Sequence, residues 1–424
     1  MRCALALVAT LLALPAFGQS PAKPHLAAVD ARIAAESPDL VKLYVHLHEN
    51  PELSLAEEQS AARMAKELAA AGFTVTTQFG GHGVVGILAN GPGPTVMVRA
   101  DMDALPVTEL NTFAHASQNQ GKMHACGHDG HTAMLLAAAQ HLAKNRNFDG
   151  TVYLIFQPAE EGGGGAREMV KEGLFEKFPM DAVYGMHNWP GMKVGQFAVS
   201  PGPAMASSNE FKITIHGKGG HAALPHTGVD PLPVACEMVL AFQTILTRNK
   251  KPTDTGLISV TMIHGGEASN VIPDTCQLQG TVRTFTHEVL DLIESRMKKI
   301  AEHIGAAHDC EVDFYFHRNY PPTINSTDEA NFARGVMASI VGEDNVLVQE
   351  AAMTAEDFSF MLLAKPGAYA FIGNGDGAHR DMHHGGGPCT LHNASYDFND
   401  DLIPLGATCW VELAEQFLKA RSIA

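Results

Sequence analysis

Positive charge is scarce in this sequence. Lysines and arginines number 29 against 46 aspartates and glutamates, so the formal net charge is −17. Such a surface repels a polyanion, which argues against nucleic acid as a partner. Long apolar runs are missing too. Ala4–Leu14 is too short to span a bilayer, and no other segment is long and apolar enough. No cysteine follows that run, which argues against a lipoprotein. Nor is there a disulfide framework. Of seven cysteines, Cys3 lies in the N-terminal run and Cys126 in a cluster of metal-type residues. The remaining Cys236, Cys276, Cys310, Cys389 and Cys409 are odd in number and follow no pairing pattern. Gly81-His-Gly-Val-Val-Gly86 matches the dinucleotide fingerprint in form alone. A true fingerprint opens a helix. Here a strand continues into Asn90-Gly-Pro-Gly-Pro94, so a hairpin turn is expected.

The chain has 424 residues, 46% of them apolar, which suggests about two domains or one large one with a sizeable core. Residues 1–18 have the pattern of a secretory signal. Arg2 is their one charge, Ala4–Leu14 the apolar core, and Ala16-Phe17-Gly18 the cleavage site. Cleavage before Gln19 is expected, giving a periplasmic or secreted protein with no membrane anchor. Gln19–Ala35 reads as a loose lead-in, and Pro38–His48 and Ala56–Ala71 as helices. Ser54 and Glu57 form a capping box before the second helix, and Gly72 ends it.

The richest stretch is Met123-His-Ala-Cys-Gly-His-Asp-Gly-His131, with one thiol, three imidazoles and a carboxylate. An apolar helix, Thr132–Ala143, follows at once. Cys126 and His128 are two positions apart, so one turn can aim both at a zinc-like divalent cation. Three apolar runs read as buried strands: Thr95–Ala100, Thr151–Phe156 and Ala182–Met186. With the helices between them they predict an α/β fold, a mostly parallel sheet covered on both faces. Ligands bind at the carboxyl ends of such strands. Asp101, Asp103, Glu160, Glu161 and His187 all stand where one of these strands ends.

From about Ser207 the order becomes βαββαβ, the pattern of a ferredoxin-like sandwich. The expected division is a catalytic domain over 19–206 and 319–424, with a ferredoxin-like lid or dimerisation domain inserted at 207–318. Hinges are expected near residues 200–208 and 316–322. The last part carries a loop, Asp376–Cys389, with His379, His383 and His384, and then His392. It closes with a helix, Leu402–Ala420.

Cys126, His128, Glu161, His187 and His392 supply enough donors for two cations, one donor bridging. Such a pair activates water and polarises a carbonyl. Glu160 is free to move the water proton to a leaving nitrogen. Asp103 is placed to orient a ligand imidazole. Singly, each has an ordinary reading: Asp103 a helix cap, Glu160–Glu161 a solvated turn, His187 a core histidine.

The runs MHACGHDGHTAMLL, QPAEEGGGGA, GMHN, GKGGHAALPH, ASNVIPD and AEDFSF make the resemblance specific. The sequence resembles the amidohydrolase branch of the metallopeptidase family of aminoacylases and carboxypeptidase G. That branch includes hippurate hydrolase-like and indole-acetyl-amino-acid hydrolase-like enzymes. The resemblance runs from His48 to Asn399. It implies a zinc-peptidase type fold and two divalent ions, zinc first, with manganese, cobalt or nickel as alternatives. It implies Cys126, His128, Glu161, His187 and His392 as ligands, with Cys126 bridging, and Glu160 as general base and acid. His221 would reach the scissile carbonyl oxygen from a neighbouring subunit of a homodimer. Asn270 and Arg283 would hold substrate, Arg283 by pairing with a carboxylate. The His-rich loop departs from the family pattern, and a solvated loop is expected there. The function implied is hydrolysis of N-acyl amino acids or small dipeptides. The alternatives are a carboxypeptidase or dipeptidase on free peptides, and a binding protein without chemistry.

Overall fold

The protein is described here by a computed structural model covering residues 24–380 and 382–422. The expected signal at 1–18 and its cleavage point lie outside these residues. The expected loose lead-in is partly overturned: one helix, α1, runs from Pro24 to Glu49. Val29, Ile33, Leu40, Tyr44 and Leu47 are buried along it. Their three- and four-residue spacing makes an apolar stripe that sustains the helix across Pro38. The Ala/Pro-rich composition hides that stripe. α2 spans Glu58–Ala71 and ends at Gly72, whose φ of 93° takes the left-handed form expected of a C-cap. The expected capping box does not form. Ser54 and Glu57 both turn away to a distant loop.

β1 (Thr74–Phe79) and β2 (Gly83–Asn90) make the expected hairpin, and the fingerprint-like glycines lie in its turn and second strand. β3 (Thr95–Asp101), β4 (Gly150–Gln157), β5 (Ala182–Pro190) and the strand Gly367–Gly375 form the parallel centre of an eight-stranded sheet. The antiparallel β1–β2 hairpin flanks β4 on one side. The short strands Phe197–Ala198 and Val346–Leu347 complete the other. α1, α2, the helix α3 (His128–Asn145) and the closing helix Leu402–Arg421 share one large core on one face. A second cluster, built on Tyr153, Val183, Phe358 and Phe371, covers the other. β3 and β4 are buried almost throughout, which is why they read as continuous apolar runs.

The strands Ser208–His216, Gly256–His264, Thr275–Thr284 and Glu311–Tyr320 form a separate four-stranded sheet. Its neighbours are all antiparallel, and the first and third strands in the chain lie at its centre. This is the ferredoxin-like order. The helices Pro231–Thr244 and His287–Ala307 pack on it around Phe211, Met238, Phe242, Ile293 and Met297, a core of its own. Asp230 and Thr286 cap the two helices through Leu232 N and Val289 N. Among the described residues, no helix is long and apolar enough to cross a membrane, and the cysteines are free.

α1 is tied to α3 by buried charge. His48 Nδ1 lies 2.7 Å from Asp129 Oδ2, and His48 Nε2 lies 3.2 Å from Glu109 Oε1. Burial disfavours the imidazolium, but the two carboxylates outweigh it and raise His48 from 6.5 to about 10. Its folded pKa lies above the unfolded one, so this stabilisation is complete below pH 6.5 and lost by about pH 10. Urea titrations across that window should show the wild-type midpoint falling more steeply than that of His48→Gln. Parallel slopes would contradict the pairing.

Candidate active site

Cys126 and His128 are set by one glycine. Gly127 has a φ of 89° and stands at the N-terminus of α3. A Cβ there would lie 2.5 Å from Asn188 Oδ1 and 2.8 Å from the Tyr396 hydroxyl, so another residue would push the turn away from β5. His187 lies inside β5, which runs on to Pro190 rather than stopping at Met186 as expected. Its Nε2 is 3.3 Å from Cys126 Sγ. His392 approaches from the other side. Its φ is 64°. Its N–H donates to Ala125 O at 2.7 Å, and its Nε2 lies 3.2 Å from Glu161 Oε1.

The five expected donors therefore meet. Donor atoms of Cys126, His128 and His187 lie within 4.8 Å of one another, and so do those of Cys126, Glu161 and His392. Cys126 belongs to both groups. Glu160 joins His128 and Glu161 in a third group of the same spread. All but His128 line one cavity of about 410 Å³, walled on its apolar side by Trp189, Met205, Tyr320 and Leu391. The residues fit divalent cations. His128 Nε2 is buried without a hydrogen-bond partner among the described residues, a cost that ligation removes. Burial, then the charges of Glu161, Glu160 and Asp101, push the Cys126 thiol well above its ordinary value. A cation reverses that balance and favours the thiolate.

The donors are held from behind. His128 Nδ1 lies 2.9 Å from Asp103 O and 3.3 Å from Asp103 Oδ1. Asp103 Oδ2 accepts from Ser54 Oγ at 2.6 Å and from Glu161 N at 2.9 Å. Burial works against the Asp103 carboxylate, but the His128 bond outweighs it and holds its pKa below the usual range. His187 Nδ1 donates to Asn188 O at 2.7 Å, leaving Nε2 for the cluster. Burial, then nearby His131, keeps the His187 imidazole neutral.

Several residues were not foreseen. Arg99, in β3, is fully buried. Its Nη1 donates to Asp101 Oδ2 at 2.6 Å, and its Nη2 to Glu356 Oε1 at 2.9 Å and Asp357 Oδ1 at 3.1 Å. Asp101 Oδ1 is in turn 2.6 Å from His131 Nδ1. Glu356 and Asp357 stand within 4.8 Å of the Glu160 carboxyl. Burial, then Glu356 and Glu161, drive Glu160 well above the usual carboxylate range. The signal available was an arginine inside an otherwise apolar strand, since a buried charge demands partners.

Three expected residues do not reach the cavity within this chain. His221 is exposed on the two-residue strand Gly220–His221 and accepts at Nδ1 from Ala223 N at 3.1 Å. Asn270 is exposed beside it, its carbonyl accepting from Ala222 N at 3.1 Å. Arg283 turns along its own strand, donating to Thr281 Oγ1 at 2.6 Å and Val282 O at 3.3 Å. All three belong to the inserted unit, which has its own core: Arg283 lies on its four-stranded sheet, and His221 and Asn270 lie at the small two-stranded pairing beside it. The expectation of a solvated His-rich loop holds in part: Asp376, Met382, His383 and Gly386 are exposed, but two of its histidines are not free in solvent. His384 and His379 fold onto Asp397 Oδ2 at 3.0 and 3.3 Å, and the His384 ring packs 5.1 Å from Phe113. His392, not these residues, joins the donor cluster.

The chain matches Peptidase family M20/M25/M40 over residues 97–416. It is 39% identical to the hippurate hydrolase of Campylobacter jejuni over 380 residues, covering 89% of this chain and 96% of that protein. It is 40% identical to the N-acetyl-L-cysteine deacetylase of Bacillus subtilis over 347 residues, 81% of this chain and 82% of that protein. The crystal structure of the YXEP protein of Bacillus subtilis, described as a dinuclear metal binding peptidase from M20 family, superposes with a TM-score of 0.78. That match has 29% identity and covers 91% of this chain and 99% of that one.

Arg99 tests the buried network without reference to any relative. Arg99→Met leaves three buried carboxylates without their cation and should cost about 3–5 kcal/mol in urea unfolding. A cost under about 1 kcal/mol, the range of an exposed pair, would contradict the network.

Proposed function

The chain belongs to peptidase family M20/M25/M40 and is a metal-dependent hydrolase of amide bonds; on that footing we propose that it cleaves N-acyl amino acids. The observation that carries the reading is the pair of donor groups sharing the Cys126 sulfur, with the Glu160 carboxyl beside them. Cys126, His128 and His187 would hold one divalent ion, and Cys126, Glu161 and His392 the other. A mixed thiolate, imidazole and carboxylate set favours zinc, ahead of manganese, cobalt or nickel. Bound ions supply Lewis acidity for the attacking water and the scissile carbonyl. Glu160 takes the proton of the water and delivers it to the leaving nitrogen. Asp103 keeps His128 and Glu161 in place through both halves. Trp189, Met205 and Leu391 receive the acyl group. The names of the two curated relatives support this substrate class.

The reading extends to assembly and location. Two copies pair through the inserted unit, whose edge strand Gly256–His264 exposes Met262 and Ile263 next to exposed Val271. Pairing brings His221 and Asn270 of one copy to the cavity of the other. Residues 1–18 direct export and are removed before Gln19. Light scattering should give a dimer, and the mass of the exported protein should begin at Gln19. A fully active monomer, or an uncleaved intracellular chain, would contradict these two points.

The catalytic reading is tested on N-acetyl and N-benzoyl amino acids beside unblocked dipeptides. A chelator should abolish turnover and added zinc, manganese or cobalt should restore it. Glu160→Ala should lower kcat by roughly 10²–10⁴-fold with metal content unchanged. Full activity after exhaustive chelation, or a preference for unblocked dipeptides, would overturn the reading.

A further inference from the structure

The two residues that look like a helix cap serve the loop that carries the base. Ser54 Oγ donates to Asp103 Oδ2 at 2.6 Å. Glu57 is fully buried, and its Oε1 accepts from Ala159 N at 2.7 Å and from Leu55 N at 3.1 Å. Ala159 has a φ of 55°. That left-handed form crowds the Cβ of an L-residue against its own main chain, so a neighbour must hold it. The turn is also tight from outside: a Cβ on Gly163 would lie 2.7 Å from the Ala159 Cβ. The next two residues are pinned as well. Glu160 O accepts from the Tyr320 hydroxyl at 2.7 Å, and Glu161 N donates to Asp103 Oδ2 at 2.9 Å.

The direction of the Glu160 side chain follows from the torsion one residue before it. If Ala159 relaxed to a negative φ, the following peptide would swing and carry the carboxyl away from His128 and Glu161. Ala159 N is the donor that registers this torsion, and Glu57 is its acceptor. The other Glu57 oxygen, Oε2, is buried with no hydrogen-bond partner among the described residues. A buried polar side chain with half its capacity unused is costly. What it offers in return is the contact made by Oε1.

We propose that Glu57 is a positioning residue for the base: it holds Ala159 in its left-handed turn and so aims Glu160 at the donor cluster. The inference rests on the reading of Glu160 as the proton carrier. Burial, then the charge of Asp103, pushes the Glu57 carboxyl up to about 7. A neutral carboxyl still accepts through its carbonyl oxygen, so glutamine is the fitting conservative replacement.

The test has two arms. In metal-free protein, hydrogen exchange read by mass spectrometry on the 158–165 segment should quicken about tenfold or more in Glu57→Ala. Glu57→Gln should stay near wild type. In the metal-loaded enzyme, Glu57→Ala and the shorter-reaching Glu57→Asp should lower kcat by about 10- to 100-fold. KM and metal content should stay within about twofold, and Glu57→Gln should keep most of kcat. Glycine takes a positive φ freely, so adding Ala159→Gly to Glu57→Ala should recover part of the lost kcat. Unchanged exchange in Glu57→Ala overturns the clamp. Wild-type kcat in both Glu57→Ala and Glu57→Asp, or a loss that Ala159→Gly does not relieve, overturns the positioning role. A wild-type enzyme inert on N-acyl amino acids would instead strike the reading of Glu160, and the exchange arm would still decide the clamp.

Discussion

Buried negative charge has to be balanced where it stands, and that constraint organises this protein. Asp101, Asp103, Glu160, Glu356 and Asp357 are all buried near the carboxyl ends of the parallel strands. Left alone, such a group would repel itself and protonate. Arg99 answers it from below, one guanidinium shared by Asp101, Glu356 and Asp357. His128 answers Asp103 from the side. Toward the cavity the remaining excess faces donors suited to divalent cations. The same imbalance serves two ends, drawing in positive charge and lifting the proton affinity of Glu160.

The sheet explains why these groups meet. Parallel strands deliver their carboxyl ends to one edge, and each following loop starts from a rigid origin. β3 leads into Asp101 and Asp103, β4 into Glu160 and Glu161, and β5 carries His187. Cys126 and His128 enter at the mouth of α3, whose apolar body anchors them in the main core. Positive φ values recur where the chain must bend sharply to present a donor, at Ala159, Gly127 and His392. Each is held by packing or hydrogen bonds from elements remote in sequence. Rigidity here comes from tertiary support and not from the loops themselves.

The inserted unit obeys different physics. Its sheet and two helices close a core without help from the catalytic body. Tyr320, at the end of its last strand, reaches the catalytic body, its hydroxyl bonded to both Glu160 O and Gly164 N. His221, Asn270 and Arg283 remain with that unit, at its surface or along its own strand. A single chain therefore presents a donor cluster and a set of substrate-type residues apart from each other.

Local signals were enough for much of this. The apolar runs of β3, β4 and β5, the βαββαβ order and the Cys126–His128 turn all depend on near neighbours, and all were legible in the sequence. So was the set of donors, because chemistry of that kind is rarely crowded beside strand ends without a use. Other features were decided by contacts between distant residues. Glu57 and Ala159 are 102 positions apart, and Arg99 and Glu356 are 257 apart. Ser54 and Glu57 carry the residue types of a cap, yet a stronger demand from the Glu160 loop takes them. The start of α1 is helical because α3 and the closing helix cover its stripe, which its composition conceals. His379 and His384 turn inward because Asp397 is there to receive them. Sequence periodicity and turn chemistry determined which elements exist and which donors they carry. The tertiary structure alone decided which buried charges face one another, because that pairing depends on distances in space that short-range pattern does not encode.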